Sequence, residues 1–328
     1  MFFGTSSGNV LQIGAHRPSR AVKRIVFTLA LAVTFMSCRD SSASDTKSAQ
    51  PSRATAIEVA DDGGRVIHLD APARRIISLI PSATETLIAL GATDQIVGRT
   101  RYDVAPEIAA IQSVGGTSDP SIETIVGLHP DLVIGWDADK RQATRTKLDA
   151  LGVRVFTIRA RDTSDVFRGI AHLGRLTGRD SAATALAASI RGEFDDVRRS
   201  VAGLKTPSVF YVVFNDPPMT AGPATFIGEL IGLAGGRSIF ADARQLWPNV
   251  SMEEIVRRQP DMLVVPVGEF KTNTLEHLRA RPGWRDLSAV RNGRVVTVPA
   301  DLLSRPSASI GKAARVLRAA FHPELAPR

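Results

Sequence analysis

The sequence predicts an α/β protein made of two related lobes joined by one long helix, and three observations lead to that expectation. From about residue 65 short β-rich runs alternate with helical patterns, the order expected of parallel sheets covered by helices. A long amphipathic stretch at 180–204 divides this region into halves. A fourteen-residue motif then occurs once in each half.

The N-terminal part reads as an address. Residues 25–37, IVFTLALAVTFMS, form an uncharged and mostly apolar run behind Lys23 and Arg24. At thirteen residues it falls short of the roughly 20 needed to span a bilayer, so residues 1–38 are expected to be a secretory signal peptide. Cys38, the only cysteine, closes that run and resembles the lipid-attachment cysteine of bacterial lipoproteins, although Phe35 replaces the usual Leu; ordinary cleavage near Ser41–Ala43 is the other reading. Residues 39–64 are expected to be a linker and N-terminal extension, with Asp61-Asp62-Gly63-Gly64 as a turn.

In the first lobe, 65–178, strands are expected at RIISL (75–79), QIVG (95–98), DLVIG (131–135) and VRVFTI (153–158). In the second, 205–323, they are expected at SVFYVVF (208–214), DMLVV (261–265) and RVVTV (294–298). Each lobe thus reads as Rossmann-like. Within the connecting segment, 179–204, Ala183, Leu186, Ile190, Phe194, Val197 and Val201 fall three or four apart, one stripe of a helix. Asp180 is its expected N-cap and Gly203 its stop. A rod of this kind holds two lobes more stiffly than a flexible linker, so only small lobe movement is expected.

The repeat relates SIETIVGLHPDLVI (121–134) to SMEEIVRRQPDMLV (251–264), identical at six of fourteen positions with a constant offset of 130. It predicts a short capped helix, broken at Pro130 or Pro260, that feeds a buried strand. Ser121 and Ser251 suit the N-caps, and Glu123 and Glu253 fall in the first turn, where the helix dipole favours an anion. Duplicated lobes flanking a spacer leave a cleft between them, the usual place for a small ligand.

Composition narrows the function. Apolar residues are 44% and charged residues 23% of 328, ordinary for a globular core. Basic residues exceed acidic ones by 41 to 33, but beyond residue 38 only by 37 to 33, too little for a nucleic-acid surface. One cysteine rules out an internal disulfide framework, and the six histidines show no metal-ligand spacing. Phosphate-loop, zinc-helix and nucleophile-elbow motifs are absent, so no enzyme is indicated and no metal or cofactor is expected.

Four aromatic residues stand at strand ends or in a cleft-side loop: Tyr102 follows QIVG, Trp136 follows DLVIG, Phe214 ends SVFYVVF, and Trp247 precedes Pro248 in the loop leading to the second repeat helix. Ligands of open α/β sheets bind outside the carboxyl ends of strands. Singly, each ring would be read as a plug of its own core; four from both halves favour a cleft lining. Asp301 and Arg305, in the loop after the RVVTV strand, read either as a surface ion pair or as polar contacts to a cleft ligand.

From about 65 to 322 the sequence resembles the periplasmic cobalamin-binding receptors of ABC importers, solute-binding proteins of the class III type. The stretches that carry the resemblance are RIISLIPSATETLIALGA, SIETIVGLHPDLVIGW, VFNDPPMTAG, LWPNVSMEEIV and NGRVVTVPADLLSRPS. It implies that Tyr102, Trp136, Phe214 and Trp247 pack on the corrin ring and that Asp301 and Arg305 contact its amides. It further implies that Glu123 and Glu253 dock on arginine pockets of the permease. Thr117 stands where such receptors often carry Trp, one stacking face fewer. The expected function is capture of cobalamin or a related corrinoid for an ABC permease and its ATPase. The chain is expected to be a periplasmic monomer, anchored through Cys38. Haem or a ferric siderophore is the alternative ligand, and an unrecognised exported α/β enzyme the alternative of another class.

Overall fold

A computed structural model describes residues 56–136, 142–268 and 274–325; Cys38 and the predicted signal peptide lie outside the described residues. The described chain opens with a hairpin of β1 (Ile57–Ala60) and β2 (Val66–Leu69), antiparallel and paired from Ile57↔Leu69 to Ala60↔Val66. Ile57, Val59, Ile67 and Leu69 face inward while the intervening residues face out, the period-2 pattern of a half-buried strand. Asp61–Gly64 forms the expected turn, with Gly64 at φ 82. The hairpin therefore straddles the 64/65 boundary drawn from sequence.

The first lobe contains β3 (Ile76–Ser78), β4 (Ile96–Gly98), β5 (Leu132–Trp136) and β6 (Val155–Ile158), all parallel in the order β4-β3-β5-β6. Its helices are α1 (Pro81–Ala89), α2 (Ile122–Gly127), α3 (Gln142–Ala150) and α4 (Thr163–Thr177). Next come the connecting helix α5 (Asp180–Ser200), then the second lobe with β7 (Ser208–Tyr211) and a two-residue ribbon, β8 (Phe214–Asn215) against β9 (Pro218–Met219). Its remaining elements are α6 (Phe226–Leu233), β10 (Arg237–Ser238), α7 (Met252–Arg258), β11 (Met262–Val267), α8 (Leu275–Ala280), α9 (Ser288–Arg291), β12 (Val295–Pro299), α10 (Ala300–Ser304) and α11 (Ile310–Phe321). The second sheet is parallel in the order β10-β7-β11-β12. Numbered within its own lobe, each sheet has the order 2-1-3-4, so the duplication seen in fourteen residues extends to the topology of both lobes.

The repeat itself is structural. The Ser121 and Ser251 hydroxyl oxygens accept from the amides of Thr124 and Glu254 at 3.2 and 3.1 Å, which caps α2 and α7. His129 and Gln259, at the same repeat position, both adopt positive φ, 45° and 41°; Gln259 caps α7, while α2 is capped one residue earlier at Leu128. Asp131 then accepts from the Arg74 and Arg75 amides at 2.8 and 2.9 Å, and Asp261 accepts from the Ser208 amide at 2.8 Å. In each lobe the Pro-Asp pair therefore pins the third strand to the start of the first.

Helix α5 has 21 residues and spans about 32 Å at 1.5 Å per residue. It packs on α4 of the first lobe and α11 of the second. Its buried Ala183, Ile190, Phe194 and Val197 join a core cluster that also holds Leu132 and Ile134 of β5, Val264 of β11 and Leu317 of α11. One apolar core thus runs through both lobes, within the unit Arg53–Arg328. Asp180 is the first helical residue, not the N-cap as expected; Arg179 occupies the cap position without a side-chain bond. The cause lies in α4, which ends at Gly178 with φ 69 and returns the Arg179 amide to the Gly174 carbonyl at 2.7 Å. The chain enters α5 directly, and Asp180 keeps its favourable place in the first turn. Gly174 is required where α4 and α5 meet, since a Cβ there would stand 2.4 Å from that of Ala183.

Candidate functional site

Both sheets direct the carboxyl ends of their strands toward one cleft of about 790 Å³. Trp136 ends β5, and Arg159, Ala160 and Arg161 follow β6, giving the wall of the first lobe. From the second lobe Tyr211 ends β7, Phe214 begins β8, Pro266 and Gly268 mark the end of β11, and Ala300 follows β12. Trp247, Phe226 and Ile227 complete that side. The volume lies in the range of pockets that take small organic ligands, roughly 300–1,000 Å³.

Of the six predicted ligand residues, Trp136, Phe214 and Trp247 line this cleft. Phe214 and Trp247 are 60% and 41% exposed and offer faces outside their own cores, while half-buried Trp136 both packs on the shared core and lines the cleft. Trp284, in contrast, is 2% exposed among Phe210 and its neighbours. The other three candidates gather beside the cleft. Arg305 pairs with Asp301 and with Glu85, both at 2.8 Å, and donates to the Tyr102 carbonyl at 3.1 Å. Glu85 belongs to α1, so this guanidinium bridges the lobes. Asp301 and Arg305 line a side pocket of about 290 Å³, whereas Ala300 and Ser304 line the main cleft. Helix α10 thus turns one i, i+4 face to each. The Tyr102 ring is exposed, with the Arg101 guanidinium 5.6 Å from its centre.

Glu123 and Glu253 are exposed in the first turns of α2 and α7, and neither has a hydrogen bond or ion pair among the described residues. Adjacent Glu254 differs, since Arg257 and Arg258 hold it through Nε–H bonds of 2.7 and 2.5 Å.

Residues that the sequence reading missed complete the cleft. Tyr211 is buried, which pushes its phenol up, against the opposing hydrogen bond to Ser304; it stays neutral as part of the floor. Arg159 donates through its amide to Asp62 Oδ2 at 2.6 Å and through Nη2 to the Asp62 carbonyl at 2.8 Å. Arg161 is held by Asp165, to whose Oδ2 its Nε–H donates at 3.0 Å. Their signal was present in the sequence, because RAR directly follows the VRVFTI strand at a carboxyl end.

Asp165 is 1% exposed. Burial pushes its carboxyl up, but hydrogen bonds from the Arg161 side chain and amide and from Arg168 outweigh this and hold it at about 2, against 3.8 unperturbed. A pKa depressed in the folded state gives stability that is present above pH 4 and lost as pH falls toward 2, about 2 kcal/mol in total. Acid unfolding followed by circular dichroism should show Asp165→Asn losing less stability than the parent between pH 4 and 2. Parallel profiles would contradict the assignment.

Comparison with known proteins agrees with this geometry. The family described as periplasmic binding protein matches residues 76–302. A cobalamin-binding protein of Halobacterium salinarum is 33% identical over 272 residues, covering 80% of this chain and 73% of its own length. The crystal structure of the periplasmic vitamin B12 binding protein of Vibrio cholerae aligns with a TM-score of 0.66 at 28% identity, over 77% of this chain and 98% of that one. The periplasmic heme-binding protein of Roseiflexus sp. RS-1 in apo form aligns with a TM-score of 0.68 at 27% identity, over 76% and 98%. With two lobes of one topology, a helix between them and a cleft at their strand ends, the chain belongs to the periplasmic binding protein family, whose members bind solutes.

Proposed function

We propose that this chain is the substrate-binding protein of an ABC importer, capturing cobalamin or a related corrinoid in the cleft and delivering it to the permease. The observation that carries this reading is the aromatic lining contributed by both lobes, Trp136 from one and Phe214 and Trp247 from the other. Flat faces with few rotors suit a planar macrocycle, since they supply contact area at little entropic cost. The cobalamin-binding relative and the vitamin B12 binding structure support the same ligand. Because a heme-binding protein shares the fold equally well, the lining distinguishes the ligands better than the fold does. Among the described lining residues there is no histidine, and the one tyrosine, Tyr211, is buried with its hydroxyl on Ser304. That wall favours stacking, and an axial ligand to haem would have to come from the margin, where Tyr102 is exposed.

The rest of the reading follows from this role. The protein performs no bond chemistry. It is exported, held to a membrane through Cys38, and acts as a monomer. Exposed Glu123 and Glu253, one per lobe, dock on a permease that feeds its ATPase. Tyr102, Asp301 and Arg305 form the cleft margin that meets the corrin periphery. Titration with cobalamin should quench tryptophan fluorescence saturably. An unchanged signal at tens of micromolar ligand, with quenching by haemin instead, would transfer the cleft to haem.

A further inference from the structure

Arg161 differs from the other residues of the cleft. Its amide and its Nε–H both donate to Asp165 Oδ2, each at 3.0 Å. Buried Asp165 is gripped from the other side by Arg168, whose Nε–H reaches Asp62 Oδ1 at 2.9 Å. One edge of the Arg161 guanidinium is thereby fixed. Its terminal nitrogens have no hydrogen-bond partner among the described residues, although the residue lines the cleft and half of its side chain is exposed. No carboxylate is found among the described lining residues. An oriented guanidinium with two free terminal NH2 groups, in a wall that also holds Arg159 and no carboxylate, matches an anion that presents two oxygens. Burying such a wall against a neutral ring alone would leave those donors unpaired, which is costly.

We propose that Arg161 is a specificity-determining residue that binds a two-oxygen anionic group of the ligand, with Asp165 as its positioning residue. The inference rests on the corrinoid reading above, under which that group is the phosphodiester of the nucleotide loop. The cleft then selects complete corrinoids over those without the loop. A haem propionate would offer the same chemistry from another source.

Binding of cyanocobalamin, dicyanocobinamide (a corrin without nucleotide loop or phosphate) and haemin to the purified protein tests this. Arg161→Gln should weaken cobalamin about 10- to 100-fold, the range for a hydrogen bond to a charged group, and leave cobinamide within about 2-fold. Arg161→Lys, which keeps the charge, should recover part of the loss. Asp165→Asn should weaken cobalamin selectively, whereas a merely structural role would weaken both corrinoids alike. Equal effects of Arg161→Gln on both corrinoids, or no effect on either, would overturn the proposal while the corrinoid reading stands. A parent protein that binds neither corrinoid, yet binds haemin through Arg161, would overturn the phosphodiester assignment and the corrinoid reading together.

Discussion

Reversing Glu123 and Glu253 together to lysine is expected to abolish uptake of radiolabelled cobalamin by cells that depend on this receptor, with the affinity of the purified protein unchanged. Neither carboxylate touches the cleft, and neither has an intramolecular partner among the described residues. Within the fold, each contributes only its interaction with a helix dipole, worth roughly 0.3–1 kcal/mol at the first turn. The variant should therefore fold. The failure is expected in docking, the role proposed for these residues, where a carboxylate pairing with arginine would supply orientation as well as attraction and a lysine would repel. Single reversals should each leave partial transport, because the two sites sit on equivalent helices of duplicated lobes. Normal uptake by the double variant would remove the docking role and leave the glutamates as helix-dipole partners.

Replacing Trp136 with alanine is expected to weaken corrinoid binding by roughly 1–3 kcal/mol, about 5- to 150-fold in Kd. The ring ends the central strand β5 and forms the aromatic wall of the first lobe, so its loss leaves that face of a bound macrocycle against Ala160 and two arginines. Because the side chain is only half-buried in the free protein, stability should change far less than on truncation of a core aromatic such as Trp284, where about 3–5 kcal/mol is usual. Fluorescence or calorimetric titration of the variant decides. An affinity equal to that of the parent would make Trp136 a lobe-capping residue.

Much of this was legible because the sequence carries two periods at once. Strand runs and the α5 stripe fix the alternation of elements, and the repeat fixes the duplication; the paired left-handed turns at His129 and Gln259 extend that duplication beyond what the motif predicts. The shortest strands were not legible. β8, β9 and β10 have two residues each, and only their partners define them. The same holds for β1, which lies inside the stretch read as linker and gains its order by pairing with β2.

The site divides along a similar line. Trp136 and Phe214 could be found because position at a strand end predicts the cleft, and Trp247 because it stands in the loop before the second repeat helix. Asp301 and Arg305 could not be assigned a side, since sequence does not say which face of α10 meets which pocket. Arg161 is illegible in the sequence for a related reason. An Arg–Asp pair four apart ordinarily means a surface ion pair of little consequence, and only tertiary burial of Asp165 turns it into an aimed guanidinium.

The most direct measurement is the absorbance spectrum of the protein after incubation with cyanocobalamin and removal of free ligand by desalting, alongside the triple variant in which Trp136, Phe214 and Trp247 are alanine. The parent should emerge coloured, with close to one corrin per chain, and the variant colourless. A colourless parent, or colour retained equally by both proteins, would contradict capture of a corrinoid between the lobes.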